Sequence, residues 1–212
     1  MKTDRHAKRF ALLLGAVIVL VGGSGAIGAG PSASNSLAVS RVSDILEIER
    51  AADGRLLAIG RLDGKSRSGS VVYVLGQDFA MVAGAANARF MKSAEIGRAV
   101  ALFGDNIDGR YVVDAAVVLE GQYVQGASKV FLRGQAAAVN RRIGAISIGA
   151  LEVDVTAVAP IQSLSTGSVA GVIGTQPALS GKILVEQFVQ LRTRKPIDPD
   201  ASVGTGRPDA SV

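Results

Sequence analysis

From Gly54 onward, apolar positions recur at every second residue, the period of a strand with one wet face. In "LEVDVTAV", Leu151, Val153, Val155 and Ala157 fall on one side, and Glu152, Asp154 and Thr156 on the other. Two such runs meet at Gly149-Ala150 in "ISIGALEV", and "VYVLGQDFAMV" does the same at Gly76-Gln77. A two-residue connection led by glycine predicts a type II′ hairpin at each. Upstream, Ile45, Leu46 and Ile48 in "RVSDILEIERAADG" satisfy neither period cleanly, so helical turns from Ser43 and an opening strand both stay open.

The alternating part is written twice. "LLAIGRL", "VVYVLGQDFAMVA", "RAVALFG" and "RYVVDAAVVL" are answered in order by "VFLRGQA", "GAISIGALEVDVTAV", "SVAGVIG" and "KILVEQFVQL". Gly60 and Gly134, Gly76 and Gly149, Gly97 and Gly167, Gly104 and Gly174, and Gly109 and Gly181 hold matching places, so the same turns are made twice. Such a five-stranded unit loses its exposed edges best by closing into a small barrel of the OB type.

The expected fold is therefore all-β: two tandem small OB-like antiparallel barrels after an N-terminal signal or anchor helix. A single β-sandwich with one repeat per sheet is the alternative. Two half-units sharing a sheet also fit, if "EGQYVQGASKVFLRG" pairs across the boundary. The segments expected are a signal peptide or transmembrane anchor at 1–30 and a linker with a short irregular or helical stretch at 31–53. The barrel repeats follow at 54–120 and 121–195. The Pro- and Gly-containing tail, 196–212, is expected to be disordered.

The N-terminus reads as an address. "MKTDRHAKRF" is a basic n-region and "ALLLGAVIVLVGGSGAIGAG" an apolar run, the layout of a secretory signal or signal anchor. Small residues at Ser24, Ala26 and Gly28 suit cleavage, while the uncharged stretch from Phe10 to Ser40 is long enough to span a bilayer. Either the domain is held at the inner membrane facing the periplasm, or it is released there or secreted. "GGSGAIGAG" lacks the Lys-Ser/Thr ending of a phosphate loop and follows an apolar segment, which sets a nucleotide site aside.

Composition narrows the chemistry. There is no cysteine, and the one histidine, His6, lies in the leader. Thiolate chemistry, a Ser-His-Asp site and a His-ligated metal in the folded part are thereby excluded. The net charge of +5 is mostly in the leader, where Lys2, Arg5, Lys8 and Arg9 face only Asp4. With mild remaining charge and few aromatics to stack bases, nucleic acid is not expected as a partner.

The remaining candidates are carboxylates and arginines. Asp114 and Glu186 occupy the same place in the two copies and invite an acid/base pair. On "RYVVDAAVVL", however, Tyr111, Val113, Val117 and Leu119 mark the inward parity and Asp114 the wet one, so a solvated strand face is favoured. Asp105 and Asp108 in "GDNIDG" are the only candidate metal ligands. They lack the distal bidentate Glu of a calcium loop, and the matching "GTQPALSG" has no acid, which favours a plain turn. Arg141-Arg142 suits a hairpin tip. No catalytic residue, cofactor-binding residue or cofactor is indicated.

The second copy, "GQAAAVNRRIGAISIGALEVDVTAVAPIQSLSTGSVAGVIGTQPALSGKILVEQFVQL", resembles the OB-like β-barrel domains of unknown function that occur in tandem in exported bacterial proteins. The shared pattern is a first strand, a hairpin around a glycine, a small-residue strand and a final strand after a glycine turn. The first copy resembles them less, because "DGKSRSGS" and "AGAANARFMK" lengthen its loops. The resemblance implies bacterial export and a barrel, and brings no catalytic residue. The function expected is a non-enzymatic envelope protein, held to the membrane by its N-terminal segment and presenting barrels to a protein partner. A periplasmic module for a small ligand or cation is the alternative.

Overall fold

The segment of mixed periodicity at the head is a helix, α1 (Val42–Ala51). Asp44 accepts a hydrogen bond from the Arg41 backbone N–H at 3.1 Å, placing a carboxylate at the positive end of the helix, and Arg50 stands in the last turn. One side carries the buried Ile45 and Ile48, each worth ~2 kcal/mol of apolar burial. The computed structural model describes residues 41–107, 109–158 and 164–189. The leader and linker at 1–40, Asp108 and the tail from 190 lie outside the described residues. Among the described residues, no helix is long and apolar enough to cross a membrane.

Ten strands follow. The first copy contributes β1 (Leu56–Lys65), β2 (Val71–Val74), β3 (Gln77–Met81), β4 (Arg98–Ile107) and β5 (Arg110–Gln122). A short helix, α2 (Ala85–Ser93), stands between β3 and β4. The second contributes β6 (Lys129–Asn140), β7 (Ala145–Ile148), β8 (Leu151–Asp154), β9 (Val169–Thr175) and β10 (Ile183–Val189). Neighbours run β2-β3-β5-β4-β1 in one copy, closed by β1 on β2, and β7-β8-β10-β9-β6 in the other, closed by β6 on β7 and β9. Each copy is an OB-like barrel. The pairings are antiparallel except where β3 meets β5 and β8 meets β10, two residues each, and there the barrel closes in parallel.

The barrels share a sheet, as pairing across the repeat boundary allows. Ala58 lies opposite Leu132, and Ile59 opposite Phe131, in an antiparallel contact of β1 with β6. Ala58 also pairs Leu102, and Leu132 pairs Val172, so Ala58 and Leu132 are equivalent residues that face each other. That is the signature of an internal two-fold relation.

The four central strands β4-β1-β6-β9 are consequently buried on both faces. Leu57, Leu62, Val100, Leu102, Leu132 and Val172 join the main core, which runs through both barrels, while Ile59, Ala101, Phe103, Phe131 and Ile173 pack under α1. Tyr111 of β5 stacks on Phe79, with ring centroids 4.7 Å apart, and lies against Gly134 of the other barrel.

Two local expectations are corrected. At the first hairpin Val74 pairs Gln77, so the turn residues are Leu75-Gly76, with φ of 56° and 75°, a type I′ turn instead of II′. Leu75 is fully buried over Gly60, and that packing offsets the ~1–2 kcal/mol cost of a left-handed non-glycine residue. The second hairpin has Gly149 (φ 59°) and Ala150 between Ile148 and Leu151, as expected, so Gly149 stands where Leu75 does, not where Gly76 does.

The second correction concerns β5. Gly104 pairs Val113 and Phe103 pairs Ala115, which leaves Asp114 as an extra, bulged residue. A bulge reverses the side-chain parity beyond it. Tyr111 and Val113 face the main core, but Val117 and Leu119 face the α1 side, and Ala116 and Val118 take over the interior.

Candidate functional site

The duplicated carboxylates sit at duplicated bulges. Glu186 is the extra residue between Val185, paired with Gly174, and Gln187, paired with Ile173, just as Asp114 is the extra one opposite Gly104. At both glycines an added Cβ would collide with a carbonyl of the bulged strand, Val112 in one copy and Leu184 in the other. Only glycine lets the kinked strand come this close.

Each bulge turns its carboxylate toward a cation at the head of the copy's first strand. Arg55 donates to Asp114 and lies 3.7 Å from Asp105, while Lys129 Nζ is 2.5 Å from Glu186 Oε1. Arg55 and Lys129 are themselves equivalent, each immediately preceding an apolar run. The acid/base pair suggested by the repeat is therefore two separate ion pairs, one per barrel. Sequence reasoning missed the cations, although their matching places ahead of "LLAIG" and "VFLRG" are a readable signal.

Asp105, a candidate metal ligand, keeps 57% of its side-chain exposure beside Arg55. Its expected companion Asp108 falls outside the described residues. Asn106 closes the turn by accepting from Gly109 N–H at 3.0 Å. Among the described residues no group of three or more His, Asp or Glu side chains is arranged to hold a metal ion. Arg141 donates to the Leu164 carbonyl at 2.8 Å, and Arg142 is exposed beside it.

A buried polar clamp joins the barrels. Gln77, 5% exposed, donates to the Ile148 carbonyl at 3.0 Å and accepts from Ala150 N–H at 3.2 Å, so one side chain of β3 caps the β7–β8 turn. Truncation would strand a buried donor and acceptor. Gln77→Ala is expected to cost ~1–3 kcal/mol, read by urea unfolding.

Asp154 and Lys182 form a further ion pair, on the surface, at 2.8 Å. Hydrogen bonds from Lys182 and then Thr156 bring the Asp154 carboxyl from 3.8 down to about 2. A carboxyl made more acidic by folding contributes stability above its unfolded pKa and loses it as pH falls through the folded one. The window here is roughly pH 4 down to 2. Lys182→Ala should move the Asp154 titration back toward the ordinary carboxylate range, measured by carboxyl NMR.

Clefts lined by described residues open on the outer surface. One, of about 210 Å³, lies between Ile59, Gly60 and Ala99 and the connector from Glu120 to Lys129. Another, of about 450 Å³, lies between Leu46, Glu49 and Arg50 of α1, the turn after it at Asp53, and the end of β10 at Phe188 and Val189.

No family model matches this chain, and no curated protein matches it. Two solved structures are similar, both of the single-stranded DNA-binding protein of Thermus aquaticus, one a deletion mutant and one wild type. They are 15% and 16% identical, with 68% and 73% of this chain and 98% of each of theirs covered, at a TM-score of 0.27 in both. The expectation that nucleic acid is no partner is corrected: those structures are of DNA-binding proteins, so the exclusion is not carried forward. It rested on charge and aromatics counted along the chain, which do not describe what one barrel face presents. The similarity to these structures, at this TM-score, does not itself bring DNA binding to this chain.

Proposed function

We propose that this is a non-enzymatic protein of the cell envelope, delivered there by its N-terminal leader, whose fused barrels serve as a rigid body for protein contacts. The observation that carries this reading is the structural use of the repeated carboxylates. Asp114 and Glu186, the residues best placed by sequence for acid/base chemistry, each sit on a bulge in an ion pair with Arg55 or Lys129. A carboxylate set on a bulge and engaged by a cation at the head of the copy's first strand ties distant parts of the barrel together, which suits an architectural role. The shared core and the Gln77 clamp fix the two barrels relative to each other, and such preorganisation lowers the entropy lost on binding a partner.

The test is in-cell crosslinking of the full chain carrying a C-terminal tag, followed by fractionation and identification of what co-purifies. The expected result is one recurrent envelope protein in near-equal amount, retained with Asp114→Asn and Glu186→Gln. Turnover of an envelope substrate that is abolished by either substitution would overturn the reading.

A further inference from the structure

The two stretches that lengthen the first copy, "DGKSRSGS" and "AGAANARFMK", meet in space. The second forms most of α2, whose buried side carries Asn87 and Phe90. The first is the β1–β2 connection, and it is fastened to the helix at two points. Lys65 Nζ donates to the Met91 and Ala94 carbonyls, at 2.7 Å each, and so caps the C-terminal end of α2. A Cβ at Gly69 would stand 4.0 Å from the Met91 side chain. Within the connection, Ser66 Oγ accepts from Val71 N–H at 3.0 Å, and the hydroxyls of Ser68 and Ser70 are 2.7 Å apart. Arg67 is therefore held at the tip of a bonded turn, beside the last turn of α2.

This end of the first barrel presents cations and aliphatic side chains. The outward stripe of α2, at helical spacing, is Ala85, Ala88, Arg89 and Lys92, all exposed, and Arg67 is exposed at the neighbouring tip. Among the described residues, Arg67, Arg89 and Lys92 have no ion-pair partner. Asp63, which opens the first stretch, is engaged by Arg61 at 3.2 Å and by Gly76 N–H at 3.0 Å, and Glu95 follows the helix as an exposed carboxylate. The balance stays positive. Val82 ahead of the helix and Ile96 after it are 44% and 60% exposed. Phe90 is buried, and Tyr73, beside Gly64, is 37% exposed, one ring where successive bases need several to stack on. Cations flanked by exposed aliphatics suit a bilayer surface better than a nucleic acid, because the charges meet anionic headgroups while the aliphatics enter the interface.

We propose that this end of the first barrel, through Arg67, Arg89, Lys92, Val82 and Ile96, docks on an anionic lipid surface and sets how the fused barrels stand on the membrane. The inference depends on the envelope reading above and deepens it by naming a second membrane contact, separate from the N-terminal leader.

The chain has no cysteine, so Ser93→Cys, at an exposed position of α2, gives a single thiol for an environment-sensitive fluorophore, with Ile143→Cys in the exposed β6–β7 turn as the control. The labelled full chain is reconstituted into vesicles of phosphatidylcholine, with and without phosphatidylglycerol. Blue-shifted emission is expected at position 93 only when phosphatidylglycerol is present, reversed by high salt, with no shift at position 143. Arg67→Gln, Arg89→Gln and Lys92→Gln, all surface substitutions, are each expected to lower the ratio of docked to undocked chain about fivefold. Emission indifferent to lipid charge, a shift shared by position 143, or a shift retained when all three cations are replaced overturns the proposal. A response at position 93 to a single-stranded oligonucleotide, with none to anionic vesicles, also overturns it and assigns the patch to nucleic acid. A co-purifying envelope partner found alongside an unresponsive label would overturn the docking surface while leaving the broader reading intact. Recovery of the chain in the soluble fraction of cells without an envelope partner would overturn both.

Discussion

Gly104→Ala is expected to destabilise the protein by about 3 kcal/mol, and Gly174→Ala by a similar amount. The cost arises because the added Cβ meets a backbone carbonyl, that of Val112 or Leu184, and not the mobile end of a side chain. Relief requires moving the bulged strand, which carries Asp114 or Glu186 and would draw each away from Arg55 or Lys129. The measurement is urea unfolding followed by circular dichroism, with the shift in midpoint read at constant slope. Equal losses for the two glycines would show that one architectural device is used twice. A loss under 1 kcal/mol at either would mean that its bulge is not held as described.

Phe131→Ala is the second large effect, at about 3–5 kcal/mol. Phe131 is fully buried, pairs Ile59 across the barrel boundary, and packs in the layer that includes Ile45 and Ile48 of α1. Its removal opens a cavity bounded by both barrels and the helix, with no single strand free to collapse into it. Amide exchange should therefore rise in β1 and β4 as well as in β6 and β9. Loss confined to β6 and β9 would contradict the shared layer.

Much of this architecture is legible in the sequence. Alternation gives the strands, and glycines in matching places give the repeat, because turns and close approaches restrict which residue types fit. The carboxylates at Asp114 and Glu186 were visible as a repeated pair, but their role was not. A bulge leaves no mark on alternation until the partner strand is known, so Val117 and Leu119 read as continuing the face of Tyr111 and Val113. Leu75 read as the last strand residue because a left-handed leucine is rare, and only the space above Gly60 explains it. α1 was ambiguous because Leu46 stands off the buried face of Ile45 and Ile48, half-buried beside the end of β10, and breaks the helical period. The two-fold contact of Ala58 with Leu132 was hidden in strands buried on both faces, where apolar runs carry no parity.

The central claim is that β1 and β6 fuse the two barrels into one cooperative body. Its most direct test is amide exchange through urea unfolding of the full chain carrying Ile146→Ala, a core substitution confined to the second barrel. The account predicts one transition, with protection in β4 and β5 lost at the same lowered urea concentration as in β9 and β10. Two separated transitions, with β4 and β5 keeping their original midpoint, would contradict it.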